Sequence, residues 1–313
     1  MTTYDGLTEK FVNWAQAQPD IRAAIVVGSQ ARQDHPADEW ADLDIIIYTT
    51  TPERYFERTD WMADIGDVWV KMRNFTANGE PEWLTTFEGG LDVDFVFNSH
   101  QPMNRGTRAL LLLQKFPWLI RFLPRGMADQ VEHEVPLGAQ LFDRGVRVLL
   151  DRDGLIARMR RALGQPPSPK PPTEDEFQEL VSRFWCIVGR KAKKIGRGEL
   201  YVAQSWSLNL LMLPMIEWHT RATQGWNYDV WHGGRFLEEW AHPRVLEGFR
   251  ETFARYDRDD MCRSLFATME LFRWLATETA EHLGYPYPTT VDEHITEMVE
   301  GFRKTKPTEQ DPK

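Results

Sequence analysis

Apolar positions in the first half of the chain switch repeatedly between a helical and an extended rhythm. From Asp5 to Gln18, Leu7, Phe11 and Trp14 recur at spacings of four and three, which predicts a helix with one apolar face. Ala23 to Val27 is a short apolar run ending at Gly28 and reads as a buried strand. Asp44 to Tyr48 (DIIIY) predicts a second strand, and Val68 to Met72 a third. Leu91 to Phe97 (LDVDFVF) alternates acidic and apolar residues as far as Asp94 and is apolar beyond it. That is the pattern of a strand wet on one face at its start. Helices and strands in this order point to an α+β fold, a small mixed sheet flanked by helices, over residues 1–150.

The rhythm changes after a stretch rich in proline, Gly164 to Thr173 (GQPPSPKPPT). Proline fixes φ and removes a backbone donor, so residues 151–173 are expected to act as a stiff linker region. Beyond it, Thr173 and Glu176 have the spacing of a helix capping box. Phe177, Val181, Phe184, Val188 and Ile195 then form one apolar stripe, which predicts a long helix to about Gly196. Further helical patterns cover Glu199–Thr220, Gly234–Arg255 and Asp260–Leu283. A helical bundle domain over residues 174–303 is the expectation, followed by a polar, frayed tail at 304–313.

Composition narrows the class. The 313 residues are 42% hydrophobic and 27% charged, which fits a globular protein of about two domains. No apolar run reaches the ~20 residues of a membrane span, and the first residues lack a signal pattern. With only two cysteines, Cys186 and Cys262, a disulfide scaffold is not expected. A cytoplasmic protein without a membrane partner is the default. The net charge is −10, and it is uneven. Residues 1–150 hold 14 Lys/Arg against 22 Asp/Glu, and the remainder 23 against 25. Sequence-independent binding along a nucleic-acid backbone needs a basic footprint, so a long nucleic acid is not the expected partner. A metal ion or a cationic small molecule fits the acidic half better.

Three short segments carry chemistry. Gly28-Ser29 follows a buried strand, where a tight turn can offer backbone N–H groups and a hydroxyl to an anion. Asp42 and Asp44 enter the next strand two residues apart, so both carboxylates project from one face. Like charges so close call for a cation between them, and Mg²⁺ takes oxygen ligands. Asp94 stands in the same position ahead of a later strand core. If that strand lies beside Asp44–Tyr48, the three carboxylates meet. Such a set can hold two metal ions and still accept a proton.

Gly-Ser, then Asp-x-Asp, then a later Asp on a strand resembles the DNA polymerase β-like nucleotidyltransferases. The segments VVGSQAR, DLDIIIY, WLTTFEGGLDVDFVF and FWCIVGRKAKKIGRGELYVAQ are more narrowly similar to the aminoglycoside 6-adenylyltransferases, which modify streptomycin. The resemblance spans roughly Thr8 to Leu283. It implies a nucleotidyltransferase domain, a helical domain contributing to the substrate cleft, and transfer of AMP from Mg-ATP to an aminoglycoside hydroxyl. It assigns Gly28 and Ser29 to the triphosphate, Asp42 and Asp44 to the metal ions, and Asp94 to the third carboxylate and proton acceptor. The chain departs from the pattern at Gln30-Ala31-Arg32, which lack a further glycine, and at Asp92 and Gln204. These departures leave open another acceptor, whether metabolite, protein or nucleic-acid end, and a non-catalytic nucleotide-binding protein is the further alternative.

A triphosphate needs positive charge, and Arg183 to Gly198 contains six basic residues and no acid. On a helix, Arg183, Arg190, Lys194 and Arg197 fall within a wedge of about 60°. In the resemblance Lys193 and Arg197 match recurring positions, so these two are expected to bind the nucleotide. Guanidinium groups of an acceptor suit carboxylates, which makes Glu82, Glu88 and Asp92 candidate partners. Trp185 is a candidate wall for the same acceptor.

Overall fold

The computed structural model describes residues 3–32, 34–122 and 124–304. The predicted tail beyond Lys304 lies outside the described residues. The chain divides into two compact units, residues 1–167 and 168–313.

The first unit is built on one six-stranded sheet. Its strands are β1 (Ile21–Val27), β2 (Leu43–Thr49), β3 (Val68–Phe75), β4 (Pro81–Phe87), β5 (Leu91–Ser99) and β6 (Arg147–Asp151). Their spatial order is β3-β4-β5-β2-β1-β6. All neighbours are antiparallel except β2 and β5, which run parallel. The sheet is therefore mixed, as the pattern predicts. Helices α1 (Tyr4–Ala17), α2 (Pro52–Glu57), α3 (His100–Lys115), α4 (Arg125–Arg144) and α5 (Leu155–Leu163) complete the unit.

Alternation along the strands gives the sheet two different faces. Leu43, Ile45 and Ile47 of β2 and Val93, Phe95 and Phe97 of β5 point to one side. There they form a closed core with Leu7, Phe11 and Trp14 of α1 and with the aromatic rings of Tyr55 and Trp61. The opposite face is apolar at one end only. Ile25, Val27 and Tyr48 are covered by Leu155, Ile156 and Met159 of α5 and by Phe142. Towards the starts of β2 and β5 this second face turns acidic, at Asp42, Asp44, Asp92 and Asp94. Residues 155–163 are thus part of this unit. Within the 151–173 stretch, Leu155–Leu163 is helical because Leu155, Ile156 and Met159 have a sheet to bury against, and the proline-bearing part beyond it carries no helix or strand before Glu174.

The second unit is helical: α6 (Glu174–Gly196), α7 (Leu200–Ser205), α8 (Leu208–Gln224), α9 (Leu237–Trp240), α10 (Pro243–Glu251), α11 (Arg258–Leu283) and α12 (Thr289–Lys304). Thr173 and Glu176 form the reciprocal capping box at the start of α6. The predicted stripe of α6 is buried, with the Phe184 ring stacked at 3.6 Å on Phe272 of α11. The single helical pattern over Glu199–Thr220 is two helices, parted at Trp206 and Ser207. Asp292 of α12 is buried, and its charge is met by Arg273 of α11 through two bonds of 2.6 Å each. A buried carboxylate with a forked guanidinium partner locks two helices in register.

Candidate active site

The site lies at the acidic end of the second sheet face. Register brings its parts together. Asp44 of β2 pairs with Asp94 of β5 in the parallel ladder, so two carboxylates stand side by side. Asp42, two residues earlier, projects the same way. Oxygen atoms of Asp42, Asp44 and Asp94 all lie within 4.8 Å of one another. The sequence predicts this trio, and the strand pairing delivers it.

Gly28 closes the site from the end of β1. Val27 of β1 pairs with Asp44, and the chain turns immediately afterwards. Gly28 has φ +68°, in the left-handed region that favours glycine. A Cβ at this position would overlap the Asp44 carboxylate. The absence of a side chain is what lets Asp44 occupy its place. Ser29 follows, with its hydroxyl 3.5 Å from the Asp42 carbonyl oxygen and only half-buried. The turn and the acid cluster are therefore one structure.

The electrostatics follow from the crowding. Burial raises the Asp94 carboxyl, and the charges of Asp44, Glu82, Asp42 and Asp92 push it further, to about 7. The group thus stands near neutrality, where a carboxyl can take or release a proton. In an unfolded chain the same group would ionise near 3.8. The folded state therefore holds the extra proton between about 4 and 7, and the stability tied to it is lost as pH rises through that window. Asp94→Asn is accordingly expected to raise the melting temperature at pH 8 in the presence of a chelator, and to change it little at pH 5. Equal shifts at both pH values would contradict this origin.

The acidic field extends along β4. Leu84 pairs with Asp94, Glu82 with Val96 and Thr86 with Asp92, so Glu82 and Asp92 share the face of the trio. Each is held by a neighbour. Asn74 Nδ2 donates to Glu82 Oε2 at 2.7 Å, and the Thr86 hydroxyl donates to Asp92 Oδ1 at 2.6 Å. The Asp92 N–H donates to the Tyr4 hydroxyl at 3.2 Å. Tyr4, Asn74 and Thr86 carry no sequence signal, because their roles depend on pairings far apart in the chain. Glu88 sits exposed in the turn between β4 and β5.

The other predicted residues lie in the helical unit. Lys193 and Arg197 line a cleft of about 650 Å³ with Arg190, Lys194, Trp206 and Phe302. The basic wedge is partly neutralised there. Glu199 pairs with Lys194 at 2.5 Å and with Arg197 at 2.6 Å. Lys191 donates to the Trp206 carbonyl oxygen, and burial lowers its pKa. Trp185 departs from its predicted role. It is wholly buried against Phe184 and Phe272, and its indole N–H donates to the Tyr287 hydroxyl at 3.2 Å. It builds the core and leaves no surface for an acceptor.

Comparison with known proteins gives a consistent family. The model of the family described as streptomycin adenylyltransferase matches residues 1–302. An aminoglycoside 6-adenylyltransferase of Bacillus subtilis is 24% identical, over 96% of this chain and 98% of its own length. One from Campylobacter jejuni is 23% identical, over 96% of both chains. One from Staphylococcus aureus is 20% identical, over 88% of this chain and 90% of its own. Among solved structures, the crystal structure of an aminoglycoside 6-adenyltransferase from Bacillus subtilis aligns with 97% of this chain and 100% of its own. Its identity is 18% and its TM-score 0.42.

Proposed function

The chain belongs to the streptomycin adenylyltransferase family and is a nucleotidyltransferase. On that premise we propose that it transfers AMP from ATP to an aminoglycoside hydroxyl, with the 6-hydroxyl of streptomycin as the first candidate. The observation that carries the proposal is the cluster of Asp42, Asp44 and Asp94 oxygens beside the Gly28-Ser29 turn.

The donor set fits a hard divalent cation. It offers only carboxylate oxygens, close enough to share an ion, and the Asp94 carboxyl is raised by burial first and then by the charges of Asp44, Glu82, Asp42 and Asp92. Asp42, Asp44 and Asp94 would hold the metal. Bound there, Mg²⁺ would neutralise triphosphate charge and make a coordinated hydroxyl more acidic.

The remaining work falls to the chain. The turn at Gly28-Ser29 presents a hydroxyl and backbone N–H groups where the triphosphate is proposed to lie. Asp94 accepts the proton of the attacking hydroxyl, a task open to a carboxylate that stands beside the metal-binding pair Asp42 and Asp44. The acceptor oxygen then attacks the α-phosphorus, the bond to the bridging oxygen breaks, and pyrophosphate leaves. Glu82 and Asp92 extend the negative field on the same face and favour a cationic acceptor. Glu88, exposed in the adjoining turn, is a further candidate of the same kind. Lys193 and Arg197 are the proposed phosphate-binding cations of the helical unit, supported by the basic cleft that they share.

The test is pyrophosphate release from Mg-ATP in the presence of each of a panel of aminoglycosides. Release is expected with streptomycin and absent without an acceptor. No release above background with any member would overturn the proposal.

A further inference from the structure

An exposed apolar ridge stands apart from the acidic face. It begins in the last turn of α3 and continues through the 3₁₀ turn Pro117–Phe122. Leu112, Phe116, Trp118, Ile120 and Phe122 are between 40% and 65% exposed. Five large apolar side chains held this far into water on 11 consecutive residues are not scattered surface residues. Three of them are aromatic, and cations lie over their rings. Lys115 Nζ is 5.5 Å from the Phe116 ring, and the Arg121 guanidinium is 5.8 Å from Trp118 and 4.8 Å from Phe122.

The charge of this segment is opposite to that of the protein. From Phe95 to Ala128 there is no aspartate or glutamate, while Arg105, Arg108, Lys115, Arg121 and Arg125 are basic. The net charge of the whole chain is −10. A basic apolar ridge on an acidic protein calls for an anionic partner. Pairing of the ridge with its own copy would set cations against cations across the contact. An acidic protein partner would have to match this surface in shape as well as in charge, whereas a lipid surface accepts an apolar patch of any outline. Trp and Phe rings with Arg and Lys cations over them are the composition of an interfacial anchor.

We propose that this ridge docks on an anionic lipid surface, lying in the interface rather than spanning it. The expectation of no membrane partner rests on the lack of a spanning segment, and an interfacial contact needs none. The inference does not depend on which acceptor the enzyme uses.

The test is co-sedimentation of the full chain with vesicles of phosphatidylcholine alone or mixed with phosphatidylglycerol. Binding to the anionic vesicles is expected, with little to the neutral ones, and high salt should weaken it. Trp118→Ser combined with Phe122→Ser should lower the bound fraction about tenfold, with circular dichroism unchanged. Arg121→Glu alone should weaken binding in the same direction. Lack of binding to anionic vesicles overturns the proposal, as does equal binding to both kinds. Binding that neither variant reduces overturns it too. Capture of polyglutamate without capture of vesicles assigns the ridge to an acidic protein instead. A dimer dissolved by the double variant, without vesicle binding, assigns it to a second copy.

Discussion

Replacing Asp94 with asparagine should lower adenylyl transfer by roughly 10²–10⁴-fold while leaving ATP affinity nearly unchanged. The amide keeps the size of the carboxyl but cannot accept the proton, and it is a weaker ligand for a metal that Asp42 and Asp44 would still hold. Asp94 is singled out by position. It stands beside Asp44 in the parallel ladder, and in the metal-free chain it is the member of the trio raised to about 7, by burial first and then by Asp44, Glu82, Asp42 and Asp92. The control is Asp92→Asn. Asp92 lies on the same face two residues earlier, is exposed, and is already bonded by Thr86. Removing its charge changes the field without removing the proton acceptor, so its effect on turnover should be far smaller. If the two variants lose activity equally, Asp94 contributes only charge. If Asp94→Asn keeps turnover within a few-fold of the parent, the proton passes elsewhere.

The second large effect is expected from a single methyl group. Gly28→Ala should cut turnover by about 100-fold, the scale of a misplacement near 1 Å at reacting groups. The new Cβ would overlap Asp44 Oδ2 and lie 3.2 Å from its Cγ. Gly28 is fixed by the strand before it, so the carboxylate must give way and the cluster opens. The left-handed backbone adds a stability cost of about 1–2 kcal/mol. Gly79→Ala separates the two effects. Gly79 also has positive φ, at +88°, but nothing lies within 4 Å of its added Cβ. It should share the stability loss and keep its activity. Thermal melting and steady-state rates on both variants check the pair of expectations.

Much of the fold is readable along the chain because its apolar periods are local. The helix α1 and strands β1, β2, β3 and β5 appear where their patterns stand. β4 escapes the pattern because Thr85 interrupts its buried side and Leu84 stands between Glu82 and Thr86 on the other, and pairing with β3 and β5 buries Trp83 and Phe87. β6 is five residues long and buries little, so it carries almost no periodic signal. The site divides in the same way. Asp42 and Asp44 meet through strand geometry alone, and Asp94 joins them once two similar strands are placed side by side. The contribution of Glu82, and the bonds from Tyr4, Asn74 and Thr86, come from registers that no local spacing encodes. Trp185 illustrates the opposite error. It adjoins Phe184 in sequence, and the width of the buried stripe of α6 decides whether it faces inward. The basic wedge is subtler still. Its cations are real, but Glu199, just beyond it, takes up Lys194 and Arg197.

The most direct test of the three-carboxylate centre follows the α-phosphate itself. Streptomycin is incubated with the chain, Mg²⁺ and ATP labelled at the α-phosphate, and the products are separated and weighed by mass spectrometry. The label should appear on streptomycin as one adenylyl group, with pyrophosphate released in equal amount, and should vanish in Asp94→Asn. Label left in ATP, or converted to ADP with a phosphate on the acceptor, would contradict adenylyl transfer at this site.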